Sequence, residues 1–370
     1  MITTLRRRGA HAGALLSLLL LAVGGAASAT TIRVHYDVGW GNRITIRGNK
    51  APLSWTTGVN ATWTTGNAWT YSIADSAGDV EFKPLVNDTR WSTGANYRVK
   101  AGATVDVYPF FGPAQGTLRR VDNFYSPQLN NSRSLIIYLP PSYAENPLKR
   151  YPVLYMHDGQ NLFDPSTSFG GVEWRVDETA NAQIGGGHMD EVIVVGVYNA
   201  GGNRIYEYTP CCDPQYGGGG ANQYEAFLLN TVKPYVDQTY RTLTTRENTA
   251  MMGSSLGGLV TFYIGWRNPA VFAKTASLSS SFWWNNRSMV STVANAPAKV
   301  PARFYIDAGT NGDGLADTTA MRDALVSKRY VQGNDLNYYV ADGANHSESA
   351  WAARLHIPLR WLFPWGSTVY

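Results

Sequence analysis

Thr249-Ala250-Met251-Met252 is an apolar, strand-like run that breaks at Gly253-Ser254-Ser255-Leu256-Gly257 and resumes at once with helical periodicity. A chain that turns from strand into helix across one residue needs small neighbours. A Cβ two positions before or after the apex would meet the tightly folded strand or helix. The G-x-S-x-G spacing supplies glycine at both places and leaves Ser255 at the apex, presented at the end of a strand. The pattern arises readily by chance in a chain with 37 glycines, so its meaning depends on its surroundings.

Those surroundings alternate. Apolar, β-branched runs recur at Leu135–Tyr138, Val153–Met156, Val192–Val197, Ala250–Met252, Thr275–Leu278, Phe304–Ile306 and Leu336–Val340. Helix-length amphipathic stretches lie between several of them, at Gln223–Tyr240, Leu256–Trp266, Met321–Arg329 and Glu348–Trp361. Continuous apolar strands alternating with helices predict an α/β fold with a mostly parallel, doubly wound sheet covered on both faces. Ligands of such a sheet sit at the carboxyl ends of its strands. Ser255, Asp158, the Asp307–Asp317 loop and His346 all fall at such ends, in the chain order Ser, Asp, His.

A serine hydroxyl is a weak nucleophile at neutral pH and needs a base to take its proton. His346, after the last expected strand, is the candidate among six histidines. An acid must orient that imidazole. Asp313 is preferred because it sits on the loop, with Asp317 as runner-up. The same loop mimics part of an EF-hand, but Gly309 at the first ligand position and Ala320 at the twelfth argue against calcium, and no metal or cofactor is expected. Donors for a developing oxyanion are expected from the backbone N–H groups of Leu256 and of Gln160, in the loop Tyr155–Asp164.

Residues 124–370 resemble the esterase family that includes esterase D, feruloyl and acetyl xylan esterases, enterochelin esterases and the mycolyltransferases. The resemblance is carried by Ile137-Tyr138-Leu139-Pro140-Pro141-Ser142-Tyr143, Tyr151–Asp164, Arg204 with Glu207-Tyr208-Thr209-Pro210, Lys233–Val236, Gly253–Leu259 and Ser279-Ser280-Ser281-Phe282-Trp283-Trp284. It implies an α/β-hydrolase fold, a Ser-Asp-His triad with Ser255 and His346 as members, and ester substrates. Asp158, Arg204, Tyr208, Trp283 and Trp284 are the expected substrate-pocket residues. The family's acid commonly follows a Gly-Thr-Asn-like loop; Gly309-Thr310-Asn311-Gly312-Asp313 is one residue longer than one common form, which leaves Asp313 and Asp317 both open. An acyltransferase using the same acyl-enzyme, and a non-catalytic carbohydrate-binding protein on a hydrolase scaffold, are the competing readings.

Residues 30–112 differ in pattern: short alternating runs cut by Gly, Asn and Thr predict a small all-β sandwich. Ile46-Arg47-Gly48, Leu53-Ser54-Trp55, Glu81–Asp88 and Trp91 resemble starch-binding carbohydrate-binding modules. That resemblance implies stacking of sugar faces on exposed tryptophans, for which Trp40, Trp55, Trp63 and Trp91 are the candidates, with burial in the core as the alternative for each. Residues 113–123, with Pro113, Gly116 and Arg119-Arg120, are expected to be an interdomain connection.

At the start of the chain, Arg6-Arg7-Arg8, the apolar Ala14–Val23 and Ala27-Ser28-Ala29 have the form of a secretory signal over residues 1–29, so the protein is expected to be secreted. Of 31 basic residues, three lie in that segment, leaving 28 against 27 acidic ones. With no basic stripe, nucleic acid is excluded as a partner, and no membrane association is expected once the signal is removed. The expected partners are an ester substrate, linked to polysaccharide, and a polysaccharide held by the β module. Cys211 and Cys212 are the only cysteines. They form either a vicinal disulfide or two free thiols.

Overall fold

A computed structural model describes Met1, residues 29–74 and residues 78–368. Apart from Met1 and Ala29, the expected leader lies outside the described residues. Eight strands build the main sheet: β1 (Thr117–Ser126), β2 (Asn131–Leu139), β3 (Val153–His157), β4 (Ile193–Val197), β5 (Thr249–Ser254), β6 (Lys274–Leu278), β7 (Arg303–Gly309) and β8 (Leu336–Ala341). Their spatial order is β1-β2-β4-β3-β5-β6-β7-β8. The β1–β2 and β2–β4 pairs are antiparallel, and every pair from β4 to β8 is parallel. Every residue of β3, β4, β5 and β6 is buried, which is why these strands read as unbroken apolar runs.

The expected connection at 113–123 is corrected: Thr117–Asn123 belong to β1, with Arg119 opposite Ile137 and Arg120 opposite Ile136. As an edge strand β1 is almost wholly exposed, so burial imposed no apolar alternation on its sequence. The stretch expected as one helix at Gln223–Tyr240 is Ala221–Phe227, a π-turn at Leu228–Val232 and Lys233–Thr239. Two helices carried no clear sequence signal, Val176–Gly185 and Trp284–Asn295. Among the described residues no helix is long and apolar enough to cross a membrane.

The N-terminal region forms two further sheets around their own core, with Ile32, Val34, Ile44, Ile46, Trp69 and Phe82 at its centre. It is pinned to the main domain by the Glu145 carboxylate, which accepts from Tyr36 Oη (2.8 Å), Phe111 N (2.6 Å) and Gly112 N (2.9 Å).

Candidate active site

Ser255 ends β5 with φ 57° and ψ −125°, and the helix Leu256–Arg267 begins at the next residue. A serine in this sparsely populated region is held by its neighbours: its N–H donates to Leu278 O at 3.1 Å, and its carbonyl accepts from Leu259 N (3.0 Å) and Ser281 N (3.0 Å). Gly253 is required sterically, and Gly257 is closely packed. A Cβ on Gly253 would stand 2.6 Å from the Gly257 carbonyl oxygen, and one on Gly257 would stand 3.1 Å from Asp158 Oδ2.

His346 lies on the loop after β8, and its Nδ1 is 2.7 Å from Asp313 Oδ1. Asp313 is buried, and its other oxygen accepts from Ser279 Oγ (2.5 Å) and Gly309 N (2.6 Å). Burial works against its charge, but the bonds from His346, Ser279 and Gly309 prevail and hold Asp313 below the usual carboxylate range. Asp317 instead pairs with Arg287 at 2.7 Å. An ionised Asp313 can only accept, so His346 Nδ1 donates and Nε2 carries the lone pair.

Ser255 and His346 line one pocket of about 340 Å³ with Asp158, Gln160, Asn199 and Arg204. Its floor is organised by Asp158, a left-handed residue (φ 56°) at the carboxyl end of β3. The Asp158 carboxylate is clasped by Arg204 (2.7 and 2.8 Å) and Asn199 Nδ2 (2.7 Å). Burial again opposes ionisation, and the Arg204 guanidinium outweighs it, so Asp158 stays below the ordinary range. Gln160 follows on a single 3₁₀ turn, anchored by Asn199 N to its side-chain oxygen at 3.2 Å. Neighbouring His157 is buried, its Nδ1 2.9 Å from Tyr224 Oη, and burial with the nearby Arg204 charge depresses it to about 3. It is therefore neutral at physiological pH.

Three expected pocket residues are corrected. Tyr208 is fully buried beneath the floor, its hydroxyl accepting the Asp158 N–H at 3.1 Å. Trp284 is buried with Nε1 donating to Pro210 O at 3.1 Å. Both are drawn inward by large ring area with a reachable hydrogen-bond partner for the polar tip. Trp283 is exposed, packed edge-on to Tyr216 at 5.8 Å, and does not line the pocket. Cys211 and Cys212 are joined in a vicinal disulfide on this neighbouring loop. Trp40, Trp55, Trp63 and Trp91 are all exposed on the N-terminal module, Trp40 completely.

Phe169, Asn199, Glu348 and Trp351 line the pocket without having been singled out in the sequence. Asn199 could have been found, since it follows β4 at the same carboxyl edge. Phe169 and Glu348 sit on loop and helix-start positions with no periodic signal.

An elbow after the fifth strand of this sheet order is the arrangement of an α/β-hydrolase, and that is the class of the chain. Within it the chain belongs to an esterase family: the family model described as "Putative esterase" matches residues 126–362, more than half of the sequence. A siderophore enterobactin esterase of Emericella nidulans is 30% identical over 151 residues, covering 37% of this chain and 48% of its own length. Among solved structures, a ferulic acid esterase superposes with a TM-score of 0.53 at 21% identity, over 67% of this chain and 98% of its own. The enterobactin esterase FES of Shigella flexneri, in the presence of enterobactin, gives 0.53 at 15% identity over 86% of this chain and 87% of its own. At these identities the two structural likenesses are likenesses of fold.

Proposed function

We propose that the chain is a secreted serine esterase. Ser255 Oγ attacks the ester carbonyl as its proton passes to His346 Nε2, and Asp313 stabilises the resulting imidazolium. The oxyanion is met by the N–H groups of Leu256, in the first turn of its helix where backbone donors lack intrahelical partners, and of Gln160. His346 then protonates the departing alcohol. Water activated by the same nitrogen attacks the acyl-enzyme and releases the acid. The observation that carries this reading is the meeting of a strained Ser255 and an Asp313-bound His346 in one pocket.

Acetyl or feruloyl esters on polysaccharide are the proposed substrates. The four exposed tryptophans of the β module support them, because such rings can stack against sugar faces. The relative named a siderophore enterobactin esterase supports a second reading, cleavage of a siderophore ester. Rates on acetylated xylan, methyl ferulate and enterobactin separate the two. Ser255→Ala should abolish p-nitrophenyl acetate hydrolysis and fluorophosphonate labelling with an unchanged Tm; hydrolysis at the parent rate would refute the mechanism. Trp40→Ala and Trp63→Ala in the full chain should weaken retention on insoluble starch while leaving soluble-ester hydrolysis intact, and unchanged retention would remove the polysaccharide role of those residues.

A further inference from the structure

Behind Asp313 lies Ser279, whose φ of 44° is one a serine rarely adopts. Its N–H reaches the Asp307 carbonyl at 2.9 Å and the Asp307 carboxylate at 3.1 Å. Its buried hydroxyl touches three groups: Trp351 Nε1 donates to it at 2.8 Å, Arg354 Nη2 donates at 2.7 Å, and Asp313 Oδ2 lies at 2.5 Å. A hydroxyl has two lone pairs and one proton. With two N–H donors aimed at the oxygen, the proton is directed to Asp313 Oδ2. That carboxylate oxygen also receives the Gly309 N–H, and Arg354 Nη2 stands 3.7 Å away. A proton on Oδ2 would face donors, so Asp313 is kept as a charged acceptor toward His346 Nδ1.

We propose that Ser279, oriented by Arg354 and Trp351, is a positioning residue that holds Asp313 as an acceptor and thereby fixes His346 in the tautomer able to take the Ser255 proton. The inference rests on the serine-esterase reading. Arg354 is itself held by a two-pronged bond to Asp307 (3.0 Å to each oxygen), and Asp307 also accepts from Tyr305 Oη at 2.9 Å. Burial raises the Asp307 carboxyl against the pull of Arg354. The titratable and charged groups around the relay are therefore Asp307, Arg354 and the neutral Tyr305 phenol on the buried side, with His346, Glu348 and Arg204 on the pocket side.

Ser279→Gly accepts the left-handed backbone and removes the CH₂OH group, and with it the hydroxyl that bonds Asp313. It should lower kcat about tenfold, the worth of one hydrogen bond to a charged group, with KM unchanged. The acid limb of kcat/KM against pH should move downward, because an Asp313 no longer held toward His346 Nδ1 stabilises the imidazolium less. Arg354→Lys keeps the charge beside Asp307 but loses the forked geometry, and should fall between parent and Ser279→Gly. A folded Ser279→Gly with the parent kcat and pH profile overturns the proposal, as does a drop in Tm with no change in either. If Ser279→Gly does not fold, Arg354→Lys decides, and a parent-like rate and profile overturns it. Ser255→Ala in the same assay keeps the two claims apart. Hydrolysis there at the parent rate refutes the esterase mechanism, whereas an inactive Ser255→Ala beside a parent-like Ser279→Gly refutes only the positioning role.

Discussion

Asp313→Asn is expected to damage the enzyme more than Asp313→Ala. An amide has one acceptor oxygen and one NH₂ group, and the structure dictates which goes where. With the oxygen in the Oδ2 place, it keeps the bonds from Ser279 and Gly309 and turns its NH₂ toward His346 Nδ1 at the 2.7 Å now spanned by Oδ1. The opposite orientation sets NH₂ against two donors and loses both bonds, at about 1 kcal/mol each. The first therefore wins. In it the amide donates to Nδ1, the imidazole proton shifts to Nε2, and the nitrogen that should receive the Ser255 proton is blocked. A wrong-tautomer histidine in a serine triad costs on the order of 10⁴ in kcat, about 5.5 kcal/mol at 1.36 kcal/mol per decade. Asp313→Ala imposes no tautomer and should retain more rate. Asp317→Asn breaks only the Arg287 pair, in which the arginine is half exposed, and should leave kcat within about twofold. Turnover of p-nitrophenyl acetate and the rate of fluorophosphonate labelling measure all three. An Asp313→Asn enzyme retaining a tenth or more of parent activity, or an inactive Asp317→Asn, would refute the assignment.

Gly253→Ala places its Cβ 2.6 Å from a backbone oxygen and 2.9 Å from the His157 ring, so the elbow must shift; a displacement near 1 Å should slow Ser255 labelling about 100-fold, and parent-like labelling would show that the turn has slack. Asp177, half buried beside Glu178, is pushed up to about 6 by burial first and that neighbour second. Its charge thus weakens the fold at pH 7, and the penalty fades as pH falls through 6 toward 4. Asp177→Asn should stabilise at pH 7 by about 1 kcal/mol after discounting for solvent screening, roughly 2 °C in Tm, with no gain near pH 4. An equal gain at both pH values would contradict this origin.

Where sequence signals were legible, burial had written them. β3 to β6 are buried at every position and so appear as apolar runs, and Gly253 before Ser255 appears because no Cβ fits there. β1 was missed because an exposed edge strand tolerates Arg119, Arg120 and Asp122. Trp284 and Tyr208 were misread as pocket residues because a one-dimensional motif does not say which side of a loop its rings take. The exposure of Trp40 and Trp55, outside the strands, and of Trp63 and Trp91, on short strands, likewise depends on which way each side chain turns in the folded module.

The sequence alone determined the strand and helix alternation, the elbow at Ser255 and the order in which an acid and His346 follow it, because periodicity and steric necessity are local properties. The choice between Asp313 and Asp317 belonged to the tertiary structure. They lie four residues apart on the same loop and helix start, yet one turns inward to His346, Ser279 and Gly309 while the other turns outward to Arg287. So did the roles of Ser279 and Arg354, 75 residues apart, because a hydrogen-bond relay is defined by distances across elements and leaves no trace in spacing along the chain.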